Sequence, residues 1–376
     1  MPLTGASSNP HFIQKLMRAY AKGQSGMWLK LFYPCDNWRY NSLKHTLTTI
    51  LDPKKHQTLV TQAQNNMLSW QKNSIKPPLE VSVTSQDWGT ACLEATRQYG
   101  QSYAVLNNAS RRFPGGAFLN SYGAAQEENM WRRSDCALSL AEEHVCFDAK
   151  NGDFSYDEYL SKLIAGEIIM SPEEQRILAQ RTGVMNPNAH RVYLSEVPRI
   201  CFRGPECLVD QHNPDEVGGK NTIQAEPDLS FLFLAQNDIF PFYELRSAAP
   251  DFSTEIHQWD KEDPKCIKKY KESLQQCIAA QLDTLIHRGK KQIILGAWGC
   301  GDFNNDPHIV AKIYRDEIHK RAGHFQHIVF AILNTASHHG INYGAFKAHL
   351  DGLTLGSKAK TVSVPSSMES KTPKMR

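Results

Sequence analysis

Phe12, Leu16, Met17 and Tyr20 recur at helical spacing in an otherwise polar stretch, which predicts an amphipathic helix over 9–22. A second helix is predicted over 54–73, and Pro77-Pro78 closes that region. From about residue 80 the pattern changes. Short apolar runs predict strands at 81–83, 103–106, 191–194, 200–202, 239–245, 292–295 and 327–333. Longer amphipathic stretches between them predict helices at 87–96, 126–140, 266–287 and 307–321. Asp87 suits the N-cap of the first, because its carboxylate accepts the free N–H groups of a first helical turn. Gly289 provides the stop for 266–287. Strands alternating with helices predict an α/β sheet covered on both faces.

This pattern divides the chain into a helical front segment (1–78), an α/β unit (79–356) and a Ser-, Lys- and Pro-rich tail (357–376) expected to be disordered. A polar, charged stretch at 153–183, or about 150–190 with its flanks, interrupts the α/β pattern and reads as an insertion. The formal charge of +3 is unevenly spread. Residues 1–78 hold ten Lys or Arg against Asp36 and Asp52, giving +8; the tail holds five against Glu369, giving +4; the remainder is −9. The basic front is expected to lie on the acidic unit as a solvated face, and a protein partner through it is the functional alternative. A nucleic-acid partner is not expected, since no aromatic-and-basic interleaving is present.

No run approaches the roughly 18 apolar residues of a membrane-spanning helix. The N-terminal stretch lacks the charged-then-apolar order of a Sec-type signal, so a cytoplasmic location is expected, with export by another route left open. The nine cysteines include no Cys-x-x-Cys pair, and most lie in apolar runs where a reduced thiol behaves as a small hydrophobe. No metal site and no cofactor are expected, and His338-His339 reads as a loop pair.

Two loops stand out, each after a buried strand: Val105-Leu-Asn-Asn-Ala-Ser-Arg-Arg-Phe-Pro-Gly-Gly-Ala-Phe118 and Leu295-Gly-Ala-Trp-Gly-Cys-Gly-Asp-Phe-Asn-Asn-Asp306. Glycines allow several backbone N–H groups to converge on phosphate oxygens at close range, and a helix N-terminus after each loop would add partial positive charge. Neither loop fits the Walker pattern, and Gly299-Cys-Gly301 lacks the third glycine of a Rossmann fingerprint. After the first loop comes Gln126-Glu127-Glu128, which sets two adjacent carboxylates beside a candidate phosphate cradle.

The stretch 105–133 resembles the signature of the microbial-type poly(ADP-ribose) glycohydrolases, a branch of the macrodomain superfamily: a glycine triplet, a spacer, then Gln-Glu-Glu. Tyr193-Leu-Ser-Glu-Val-Pro-Arg-Ile-Cys-Phe-Arg203, Ser247-Ala-Ala-Pro250, the loop 295–307 and Asn342-Tyr343-x-Ala345-Phe346 are similar to further motifs of that family, in order. The resemblance implies a three-layer α/β/α macrodomain with a mixed, mostly parallel sheet, here with an N-terminal helical extension. It implies hydrolysis of an ADP-ribosyl bond, with Glu128 as the catalytic acid and Glu127 holding ribose hydroxyls and placing the substrate. It places Gly115, Gly116, Ala117, Phe118, Gln126 and Asn107 along the diphosphate and distal ribose. Gly299, Cys300, Gly301, Asp302 and Phe303 would close the other side.

Such a bond breaks through an oxocarbenium-like state, for which a carboxylic acid can protonate the leaving oxygen and its carboxylate then activate water. A second carboxylate next door is expected to raise the pKa of Glu128 by like-charge repulsion. Ala117 departs from the third glycine of the triplet and would cost about 1 kcal/mol or more if that position needed φ > 0. The polar insertion and the basic front also depart from the family pattern. They leave the carrier open between polymer and ADP-ribosylated protein. A reader that binds ADP-ribose without cleaving it is the alternative, against which two acidic groups beside anionic phosphates argue.

Overall fold

The computed structural model describes residues 3–25, 38–120, 123–211, 222–251, 263–334 and 338–356. The front segment forms α1 (Leu3–Ala6), α2 (Pro10–Ser25), α3 (Trp38–Ile50) and α4 (Pro53–Lys72). There follow β1 (Glu80–Thr84), α5 (Trp88–Tyr99), β2 (Ala104–Asn108) and α6 (Gln126–Arg133). The next stretch holds β3 (Val145–Asp148), β4 (Asp153–Tyr156), α7 (Glu158–Ile164), β5 (Ile168–Ile169), α8 (Pro172–Thr182) and β6 (His190–Arg191). Then come β7 (Tyr193–Leu194), β8 (Arg199–Cys201), β9 (Leu208–Gln211), β10 (Thr222–Ala225) and β11 (Phe240–Ser247). The chain continues with α9 (Pro264–His287), β12 (Gln292–Leu295), α10 (Pro307–Arg321), β13 (His327–Ala331) and α11 (His338–Leu350).

The central sheet has the order β1-β13-β12-β2-β11-β7, with β8 also paired to β11. β1, β13, β12, β2 and β11 run parallel, while β7 and β8 are antiparallel to β11. The mixed, mostly parallel sheet expected from the sequence is therefore present, with helices on both faces. One face packs Leu106, Leu245, Ile293 and Phe330 against α9, α10 and α11 through Leu274, Ile278, Tyr314 and Phe346. The other packs Val105, Phe242 and Ile294 against α5 and α6 through Trp88, Cys92, Met130 and Trp131. Phe12, Leu16, Tyr20, Leu43, Leu47 and Ile50 join this second core, so the front helices cover the sheet rather than standing apart from it.

Several local expectations need correction. The helix at Trp38–Ile50 is not predicted by the sequence pattern. The helix expected over 126–140 is two pieces: Ser134 adopts extended backbone and bridges Cys201, and a 3₁₀ turn continues over Asp135–Ala141. The strand expected at 191–194 breaks at Val192, whose N–H donates to Thr284 Oγ1 (2.9 Å) instead of a neighbouring strand. The strand starting at His327 ends at Ala331. The polar stretch at 150–190 is structured, and its Tyr156, Leu160, Leu163 and Ile164 pack with Ala109 and Ala248. His338 and His339 open α11 and are not a loop pair. The eight cysteines among the described residues are free; the tail 357–376 and Cys35 lie outside those residues. No helix among the described residues is long and apolar enough to cross a membrane.

Candidate active site

All five parallel strands end at one edge of the sheet, and both glycine loops emerge there. β2 and β12 are neighbours, yet the chain leaves β2 towards β11 and leaves β12 towards β13. Such a reversal opens a crevice at the carboxyl ends of the two strands. The end of β11 ties the loops together: the Ser247 carbonyl accepts from Ala109 N (3.2 Å) in the first loop and from Trp298 Nε1 (2.9 Å) in the second. Asn305 Nδ2 donates to Pro250 O at 2.9 Å.

The two glutamates sit in the first turn of α6, and both are buried. Glu127 accepts from Ser110 N through Oε2 (2.7 Å) and from Gly115 N through Oε1 (3.0 Å), so one carboxylate ties both ends of the turn. Glu128 Oε1 accepts from Ala117 N at 2.8 Å; its Oε2 is buried with no hydrogen-bond partner among the described residues. Burial pushes the Glu127 carboxyl pKa well up, opposed by the Ser110 N–H and reinforced by the charge of Glu128.

The glycines are required for reasons internal to the protein. Gly115 has φ +76°, and a Cβ there would collide with the rings of Phe118 and Trp131. Gly116 has φ +56°, and its Cβ would run into Glu128 Oε1. Ala117 is not among the positive-φ residues, so its methyl group carries no backbone strain. Phe118 is buried against Trp131 (ring centroids 4.9 Å). Gln126 clamps the end of β2, accepting from Asn108 N (2.9 Å) and donating to Leu106 O (2.8 Å). Asn107 is fully buried and donates to Glu244 Oε1 (2.9 Å), leaving its Oδ1 without a partner among the described residues.

In the second loop the N–H groups of Trp298, Cys300, Asn304 and Asn305 close turns, and those of Gly299, Gly301, Asp302 and Phe303 have no partner among the described residues. Gly299 is held at φ +72° against Asn305 and Ala249, whereas a Cβ on Gly301 would meet nothing within 4 Å. Cys300 is buried, and burial pushes its thiol pKa up. Phe303 is half-buried and Asp302 exposed. The helix end expected to assist phosphate binding here is occupied, because Asp306 caps α10 by accepting from His308 N (2.8 Å) and Ile309 N (3.1 Å). At α6 the first turn carries the two glutamates. Any diphosphate must therefore rely on loop N–H groups.

Beneath Glu127 lies a buried charge network that the sequence did not reveal. Glu244 Oε1 accepts from Arg246 Nε (2.9 Å) and Trp131 Nε1 (3.2 Å), and its Oε2 accepts from Arg246 Nη2 (2.7 Å) and Arg199 Nε (3.4 Å). Arg199 continues to Glu142 Oε1 (2.7 Å) and the Tyr193 hydroxyl (2.8 Å). The available signal was Glu244-x-Arg246, opposite charges two apart and so on one face of a strand.

Residues 30–173 match the family model of the microbial-type PARG catalytic domain. This bears out, over that stretch, the family resemblance read from the sequence; it includes the first glycine loop and both glutamates, while the second loop lies beyond it. Among solved structures, the chain is similar to poly(ADP-ribose) glycohydrolase from Thermomonospora curvata (20% identity, 78% of this chain and 89% of that one, TM-score 0.44). The same enzyme bound to the inhibitor ADP-HPD gives 20% identity, 78% and 88% coverage and a TM-score of 0.43. The Deinococcus radiodurans enzyme in complex with ADP-ribose gives 20% identity, 77% and 90% coverage and a TM-score of 0.42. No curated protein matches the chain.

Proposed function

We propose that this protein is an ADP-ribosyl glycohydrolase: it binds ADP-ribose between the two glycine loops and cleaves its glycosidic link to poly(ADP-ribose) or to an ADP-ribosylated protein. The observation that carries this reading is Glu128, buried beside the glycine turn, with one oxygen fixed by Ala117 N–H and the other without a partner among the described residues. A general acid needs one oxygen held for aim and one to carry the proton. Protonation of the leaving oxygen by Glu128 releases the carrier as the anomeric carbon gains oxocarbenium character; the resulting carboxylate then takes a proton from the attacking water. Glu127 fixes the turn that faces the ribose, and the N–H groups of Gly299, Gly301, Asp302 and Phe303, which have no partner among the described residues, receive the diphosphate.

The unit carrying this activity spans 79–356, with the basic helical segment 1–78 packed on it and 357–376 as a basic tail. The protein acts in the cytoplasm without a metal or cofactor, and an acidic protein surface is the partner suited to the basic front. Release of ADP-ribose from automodified poly(ADP-ribose) and from a mono-ADP-ribosylated protein tests the reading. Release from either supports it. ADP-ribose binding in calorimetry with no release from either would instead favour a reader.

A further inference from the structure

Ser110 and Gly115 both donate backbone N–H groups to Glu127, so residues 111–114 form an excursion tied at both ends to one carboxylate. Pro114 is buried within it, while Arg111, Arg112 and Phe113 are exposed, Phe113 to 51%. The excursion is held from several sides. Ser110 Oγ accepts from Arg112 N (3.3 Å) and Phe113 N (3.1 Å), and the Phe113 carbonyl accepts from Gly116 N (3.0 Å). The insertion braces it from outside: Tyr156 N donates to Arg112 O (2.9 Å), and Arg111 pairs with Glu167 (2.8 Å). The Arg112 guanidinium has no partner among the described residues.

A single exposed aromatic residue needs no explanation. Here the backbone that carries the ring is held by these bonds, next in sequence to an arginine whose guanidinium has no partner among the described residues, and three residues before Gly116, which abuts Glu128. An aromatic platform and an adjacent cation are the two elements with which proteins hold a nucleotide, the ring stacking on the base and the cation meeting the phosphate. The mechanism uses neither side chain.

We infer that Arg112 and Phe113 are specificity-determining residues that form a rim subsite for a nucleotide unit on the carrier side of the scissile bond. The inference rests on the glycohydrolase reading above. It makes a nucleotide-chain carrier a better substrate than a protein side chain, and gives the insertion the task of bracing that rim.

The test measures kcat/KM on poly(ADP-ribose) and on a mono-ADP-ribosylated protein for wild type, Phe113→Ala, Phe113→Trp and Arg112→Gln. Phe113→Ala should lower the polymer value about tenfold, mainly through KM, as expected for one lost base–ring stack. Cleavage of the protein substrate should change less than about twofold, and Phe113→Trp should restore the polymer value. Arg112→Gln should weaken the salt dependence of the polymer KM. Equal losses on both substrates, or no loss on polymer, would overturn the rim subsite. So would an Arg112→Gln defect confined to the protein substrate, which would assign the rim to an acidic carrier. Should wild type cleave neither substrate, the function proposed above falls, and binding decides the rim separately. A preference for an ADP-ribose dimer over the monomer that Phe113→Ala abolishes would support it, and equal affinities would overturn it.

Discussion

At the scale of single residues, glycines that look alike in the sequence have different tasks. Gly115 makes room for Trp131 and Phe118, Gly116 for the carboxylate of Glu128, and among the glycines of the two loops only Gly301 borders open space. Gly301→Val should therefore leave unfolding stability within about 0.5 kcal/mol, as for other surface changes, yet weaken ADP-ribose binding at least about tenfold by obstructing the diphosphate. Unchanged affinity in calorimetry would remove this loop from the site. The presence of Glu127 and Glu128 was legible from their place after a glycine turn. Their roles followed from the family resemblance, but the backbone N–H groups that hold each carboxylate were not legible, because they depend on how the turn folds. Glu127 takes two N–H groups and Glu128 one.

Among the elements, those with strong end signals were legible. Asp87 caps α5 as expected, accepting from Gly89 N at 2.9 Å, and Gly289 at φ +69° follows the end of α9. Elements buried on more than one side were not. Trp38–Ile50 buries Ser42 and Thr46 as well as Leu43 and Leu47, and Thr46 Oγ1 donates to Arg132 O (2.6 Å), so its apolar stripe is blurred by polar residues with tertiary partners. The insertion hides Phe154, Tyr156 and Leu160 among charges in the same way. α4 is fastened by His56, whose Nε2 lies 2.9 Å from Asp135 Oδ2 with both side chains buried. His56→Ala would leave the Asp135 carboxyl buried without this partner. It should cost about 3 kcal/mol in urea unfolding; an unchanged midpoint would show that α4 is not held through this pair.

For the whole molecule, the buried Glu244–Arg246–Arg199 network joins the central sheet to the 3₁₀ turn after α6, as Arg246 Nη2 also reaches Ser139 Oγ (2.5 Å). Burial alone would raise the Glu244 carboxyl pKa, but the charges of Arg246 and Arg199, with hydrogen bonds from Arg246 and Asn107, hold it at about 2. A folded value below the unfolded 4.5 gives stability that is complete above pH 4.5 and lost as pH falls through about 2. Glu244→Gln should therefore be destabilised by about 3 kcal/mol near neutrality, through unpaired buried guanidinium groups. The gap to wild type should narrow as pH is lowered from 5 towards 2. A gap that does not change with pH would mean that this carboxylate does not provide the charge compensation.

The fold brings the ends of β2, β11 and β12 to one edge of the sheet and buries Glu128 there, with one oxygen held by Ala117 N–H. In the function proposed above, Glu128 is the acid that cleaves the ADP-ribosyl bond. The most direct measurement is ADP-ribose release by wild type and Glu128→Gln, with calorimetry of ADP-ribose on both. The account predicts that the variant loses turnover while its affinity stays within about tenfold, roughly 1.4 kcal/mol. Turnover that survives the substitution would contradict it.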